Sequence, residues 1–165
     1  NGNNNGDISY TVAANPGPAR SATLTVGQSN ATHTVTQPAG CWATALVVYP
    51  WPTTLTGRLN ANSCVSSLRQ LQGMYRPYAQ RVSIQATAGQ RLAIMLNSTD
   101  FDAFVILIGP NGTVLGYDDD SGGGSNARFP ATGFFTLPTT GTYTIEATSF
   151  RENATGAYQL ILNKP

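Results

Sequence analysis

Short runs of alternating apolar and polar residues, each closed by Gly, Pro, Asn, Ser or Thr, recur along this 165-residue chain. A period of two marks half-buried strands, and no stretch sustains the 3.6-residue period of an amphipathic helix. The runs are 81–86, 91–96, 103–108, 113–117, 134–137, 142–147 and 158–162, with a further strand expected at 45–49. Turn clusters at 87–90, 109–112, 138–141 and 153–156 separate them. Seven or eight short strands at this spacing argue for an all-β fold, an antiparallel β-sandwich. Only 63–73 could hold a turn or two of helix, and the rest of 41–79 reads as irregular.

The first forty residues follow the same period in a smaller unit. Ile8, Tyr10 and Val12 share one face, Ala22, Leu24 and Val26 another, and His33 and Val35 a third, with Thr32, Thr34 and Thr36 opposite. This reads as a three-stranded β meander. A boundary at Pro38-Ala39-Gly40 divides the chain into 1–38, with a polar Asn/Gly start, and 41–165.

Charged residues make up 10% of the chain and the net charge is +1; a soluble domain usually carries about 25% charged residues. No basic surface suited to nucleic acid is expected. No apolar run reaches the roughly 18 residues of a membrane helix. The chain begins with Asn, as a processed or truncated product would. Cys41 and Cys64 fit a disulfide in an extracellular protein, the alternative being two buried thiols.

Five of the eight acidic residues fall between 100 and 120: Asp100, Asp102, Asp118, Asp119 and Asp120. If 108 faces 113 across the turn, 102 faces 119 and 100 faces 121, and the carboxylates meet at the open end of one hairpin. Opposed Cα atoms lie about 4.5–5.5 Å apart, where like charges destabilise. Protonation of one carboxyl or a cation between them relieves this, and Ca²⁺ is the usual hard cation for oxygen ligands. A solvated loop at Asp118-Asp119-Asp120 and Ser121-Gly-Gly-Gly-Ser125 is the plainer reading.

The segment Asp100-Phe-Asp-Ala-Phe-Val-Ile-Leu-Ile-Gly-Pro-Asn-Gly112, followed by Asp118-Asp-Asp120, Gly141-Thr-Tyr-Thr-Ile-Glu146 and Gly156-Ala-Tyr-Gln-Leu160, resembles the bacterial pre-peptidase C-terminal domain over about residues 55–163. The resemblance implies a jelly-roll-like sandwich appended to secreted peptidases and other exported proteins, some of which bind calcium. The five acids match the family's acidic positions. Gln80-Arg81-Val82 stands where the family often has Asp-x-aromatic, which removes one acid. Strands near 8–15, 19–26 and 33–37 resemble the end of a BACON domain, an Ig-like module proposed to bind carbohydrate or mucin.

Nothing marks a catalyst. His33 is the only histidine, on a strand face with Val35, and no nucleophile is placed beside it. Glu146 sits between Ile145 and Ala147 at an outward position, so a solvated charge is expected there rather than half of a glycosidase pair with Glu152. Asn30, Asn97, Asn111 and Asn153 stand in Asn-x-Ser/Thr sequons that permit glycosylation. Trp42, Trp51, Tyr49, Tyr75 and Tyr78 either line a sugar-binding face or cap the core; capping is the simpler expectation.

The sequence thus suggests a non-catalytic secreted protein. Ile8, Tyr10, Val12, Leu24 and Val26 form an apolar face that needs a cover, which a second copy could supply by strand addition, building a fibre. The alternative is a calcium-stabilised accessory module of a larger secreted enzyme, binding carbohydrate or protein.

Overall fold

The computed structural model describes residues 10, 20–26, 31–37, 44–47 and 52–165. The chain divides into two compact units, Asn1–Gly40 and Cys41–Pro165.

In the first unit β1 (Arg20–Val26) pairs antiparallel with β2 (Ala31–Gln37), so that Ala22 faces Val35 and Leu24 faces His33. The ribbon lies open: Ala22, Leu24 and His33 are exposed. Tyr10 Oη lies 3.0 Å from His33 Nε2, which accounts for the lone histidine as a packed surface residue. Ile8 and Val12, and with them the expected third strand, lie outside the described residues, as do Asn30 and the side chain of Val26.

The second unit is nearly all β. One sheet has the order β10 (Ala127–Phe129), β7 (Arg91–Asn97), β13 (Gly156–Asn163), β4 (Thr53–Leu59), with β11 (Phe135–Thr136) also on β7. The other runs β3 (Thr44–Val47), β6 (Tyr78–Ala86), β12 (Gly141–Ser149), β8 (Ala103–Ile108), β9 (Val114–Asp118), with β5 (Cys64–Val65) also on β6. All pairs are antiparallel except β3 with β6. Leu92, Ile94, Leu96, Leu160 and Leu162 of one sheet meet Ile84, Val105, Leu107, Tyr143 and Ile145 of the other in a single core. Alternation sets this face: in β13 the residues at 156, 158, 160 and 162 are buried, and Ala157 and Gln159 are exposed. The core positions of 81–86, 91–96, 142–147 and 158–162 fall where period two puts them.

Three strands lie where the sequence reads as irregular or loop: β4, β5 and β10. The single helix among the described residues, α1 (Ser67–Leu71), lies inside the 63–73 window and is capped by Ser66 Oγ, which accepts the Arg69 amide at 3.3 Å.

The acidic hairpin departs from its expected register. Val105 pairs with Asp118 and Ile106 with Tyr117, two residues from the simple reading, and a bulge falls between Leu107 and Ile108. The turn is wider than the simple reading allows: the Gly109 amide bonds to Thr113 O at 2.8 Å, and Gly112 adopts a left-handed φ of 80°. A shift of two keeps each side chain on its face but brings Asp118, not Gly116, opposite Val105.

Candidate binding surface at the loop end of the sandwich

Loops 98–102, 118–126 and 149–155 and the α1 segment gather at one end of the second unit. Phe150 N donates to Asp102 O at 2.8 Å and Ala103 N to Ser125 O at 2.9 Å. Tyr75 N donates to Glu152 Oε1 at 2.7 Å.

The five aspartates do not form one cage. Asp100 Oδ2 accepts the Ala157 amide at 2.8 Å, tying its loop to the start of β13. Asp118 Oδ1 accepts the amides of Ser121 (3.0 Å) and Arg128 (2.7 Å), so it closes the 118–128 loop from within. Asp119 Oδ1 accepts the Asp120 amide at 3.0 Å. Asp102 Oδ1 is buried with no hydrogen-bond partner. Among the described residues no three His, Cys, Asp or Glu side chains stand together where an ion could be held. An ion here would have to find most of its oxygens beyond these carboxylates, since Ca²⁺ takes about 6–8. The crowding is nevertheless real. Loss of water, and after it Asp119, Asp102 and Asp118, push the Asp120 carboxyl above its usual pKa.

A buried base that the sequence does not single out sits against this cluster. Arg69 of α1 is 7% exposed. Its guanidinium lies 4.2 Å from the centroid of Phe104 and 5.1 Å from that of Phe150. Its Nη2 donates to Phe150 O at 2.7 Å and its Nη1 to Gln72 Oε1 at 2.5 Å, while Nε has no hydrogen-bond partner. Burial lowers its pKa, and Asp119, Asp102 and Tyr117 work against that lowering. Arg69 is thus a resident cation beside the acids. The only sequence signal for it was a lone Arg in a short helix.

Phe104 carries a second partner on the sheet's outer side. Tyr117 stacks on it with ring centroids 5.5 Å apart and planes 18° from parallel. Tyr117 is 52% exposed, Phe150 43%, Tyr75 72% and Leu71 86%. Large apolar residues gathered at one end mark an interaction surface more than the same residues scattered singly.

Glu146 corrects an expectation. It does point outward, but it is buried, and Arg81 Nε donates to its Oε2 at 2.7 Å. Arg81 also reaches toward Val65 O and Ser67 Oγ at 3.5 Å, so the segment from β5 into α1 covers this part of the outer face. Of the aromatic residues weighed as a sugar face, Tyr78 is in the core and Tyr75 is exposed; Trp42, Tyr49 and Trp51 lie outside the described residues. Asn97 is half-buried in β7, and Asn111 and Asn153 are exposed at turns. Cys64 is half-buried and pairs with Ala79; Cys41 lies outside the described residues.

A cleft of about 480 Å³ opens beside these loops, lined by Thr56, Asn97, Ser98, Asn126 and Gln159 among others. Its described lining residues offer hydroxyls and amides and no carboxylate, histidine, lysine or thiol, so they can hydrogen-bond a ligand. No helix among the described residues is long and apolar enough to cross a membrane.

Comparisons with known proteins agree with this architecture. No curated protein matches the chain. The pre-peptidase C-terminal domain of a collagenase from Bacillus anthracis is similar in fold, with a TM-score of 0.50 at 13% identity, over 72% of this chain and 95% of that one. PliG of Aeromonas hydrophila, a periplasmic inhibitor of g-type lysozyme, is similar with a TM-score of 0.50 at 15% identity, over 74% of this chain and 96% of its own. At these identities the likeness concerns the fold alone. The family model of the bacterial pre-peptidase C-terminal domain matches residues 78–149, the stretch from β6 through β12 that carries the acidic hairpin and most of the core.

Proposed function

We propose that residues 41–165 form a non-catalytic accessory module of a secreted bacterial protein, and that its loop end binds a protein partner. The observation that carries this reading is the group of solvent-facing aromatics, Tyr117, Phe150 and Tyr75, at the end of a scaffold whose neighbouring cleft has no carboxylate, histidine, lysine or thiol among its described lining residues. The match to a domain found appended to secreted peptidases supports it, and PliG, of similar fold, inhibits a lysozyme. Calcium, the Cys41–Cys64 bridge and a BACON-like role for 7–38 are further proposals within the same reading. The test is retention of the full chain on immobilised unfolded protein and on polysaccharide, with casein hydrolysis assayed alongside. Retention on protein without turnover is expected; turnover, or no retention on protein, overturns the reading.

A second reading, self-assembly through the N-terminal strands, rests on the open β1–β2 ribbon, in which Leu24 is 37% exposed, and on Tyr10, 48% exposed beside His33. An isolated two-stranded ribbon is marginal in water. Sedimentation of 1–165 against 41–165 tests it: assembly that needs residues 1–40 supports it, and a monomeric full chain at high concentration rejects it.

A further inference from the structure

We propose that the Tyr117–Phe150 face docks an extended, arginine-bearing segment of a protein partner, with Asp102, Asp119 and Asp120 as its acidic rim. The proposal rests on the binding-module reading and names the class of partner.

The chain already makes this contact once, internally. Arg69 places its guanidinium over Phe104 at 4.2 Å and beside Phe150 at 5.1 Å, and gives Nη2 to a backbone carbonyl. A guanidinium is planar, stacks on aromatic faces and sheds water more readily than an ammonium. Tyr117 also stacks on Phe104, with ring centroids 5.5 Å apart, and it is 52% exposed. A second guanidinium there would extend the stack.

Charge favours the same occupant. Six of the eight acidic residues lie in the loops at this end: Asp100, Asp102, Asp118, Asp119, Asp120 and Glu152. Arg69 is buried, Arg76 lies over Tyr78 at 5.7 Å, and the Arg128 guanidinium is turned to Pro130 O and Gly133 O; Arg58, paired with Ala157, and Arg151 are the further bases near this end, so the acids remain in excess. Asp102 Oδ1 and Arg69 Nε are buried beside the face without hydrogen-bond partners. An incoming cation also relieves the mutual repulsion of the rim carboxylates.

The test titrates the full chain with the acetylated peptide Gly-Ser-Arg-Gly-Arg-Ser-Gly amide and with its lysine and citrulline counterparts, read by nuclear magnetic resonance shifts. The arginine peptide is expected to saturate and to move the Tyr117 and Phe150 signals, the lysine peptide to bind more weakly, and the citrulline peptide not to bind. Tyr117→Ala should weaken binding roughly two- to fivefold, as loss of an exposed cation–π contact does, while Tyr117→Phe retains it. Asp119→Asn with Asp120→Asn should weaken binding and flatten its salt dependence. Equal binding by Tyr117→Ala and the parent, or equal binding of the arginine and lysine peptides, overturns the proposal. If no peptide binds but the chain is still retained on immobilised protein, the partner class falls and the module reading stands.

Discussion

Arg81 Nε donates to Glu146 Oε2 at 2.7 Å between neighbouring strands, with the Glu146 side chain 2% exposed and that of Arg81 18%. Removing one member of a buried pair costs up to about 3–5 kcal/mol, and the contacts of Arg81 to Val65 O and Ser67 Oγ place this pair at or below the lower end. Glu146→Ala should therefore destabilise the second unit by about 3 kcal/mol or less in urea unfolding. Glu146→Gln, which keeps an acceptor for Arg81, should cost less. Equal stability of Glu146→Ala and the parent would show that the pair is dispensable.

Gly57 of β4 faces the core beneath the ring of Tyr158. A Cβ added there would lie 2.2 Å from Tyr158 Cζ, so the ring must move. Gly57→Ala should cost about 1–3 kcal/mol, the usual range for overpacking. The Tyr158 hydroxyl, which donates to Gln80 Oε1 at 2.6 Å, has its pKa pushed up to about 12 by burial. Displacing the ring should bring that value down toward the ordinary tyrosine range, which alkaline absorbance titration would detect.

Asp120 carries a pH prediction. Its pKa is raised in the folded state, so the native protein holds that proton more tightly than the unfolded chain. The group favours folding while protonated, and the advantage is lost as pH rises through the folded value. At neutral pH the ionised carboxyl is therefore a burden. Asp120→Asn should melt higher than the parent at pH 7, with the two melting curves converging on acidification. A variant that melts lower at neutral pH would show that the Asp120 carboxylate is stabilising.

Asp100 separates a structural role from a metal-binding one. Its bond to the Ala157 amide, beside Gly156 whose Cβ would fall 2.2 Å from Asp100 Cβ, ties two loops together. Asp100→Ala should cost about 1 kcal/mol, equally in calcium and in excess chelator. Calcium proposed at the remaining acids predicts a different signature: the parent melts lower in chelator, because a ligand bound only to the native state stabilises it. An unchanged melting temperature removes calcium from the account.

Much of this fold was legible because its strands alternate cleanly. The core residues of β6, β7, β12 and β13 fall where period two puts them, and β8 reads as an apolar run. β4 escaped for a physical reason. Its inward positions are Thr53, Leu55, Gly57 and Leu59, and the glycine that makes room for Tyr158 erases the apolar signal. Glu146 shows a second limit, since outward on a strand is not the same as exposed once β5 and α1 cross the face. The site was half legible. Periodicity placed the acids at one end of a hairpin, but each carboxylate's partner depends on loop backbone: Ser121, Arg128 and Ala157 amides that no spacing rule predicts. Arg69 became visible only when folding stacked it on Phe104.

The cysteines give the last prediction. Cys64 lies in β5, half-buried, at the edge of the six-stranded sheet beside Ala79. A bridge to Cys41 would close a loop of roughly 24 residues and contribute about 3 kcal/mol in the chain-entropy model. It would also fasten the segment before β4 to the strand that leads into α1, and so to Arg69 and the aromatic face. Alkylation without reductant should leave the intact mass unchanged. Reduction should then expose two thiols and lower the melting temperature. Two thiols labelled before reduction would rule the bridge out.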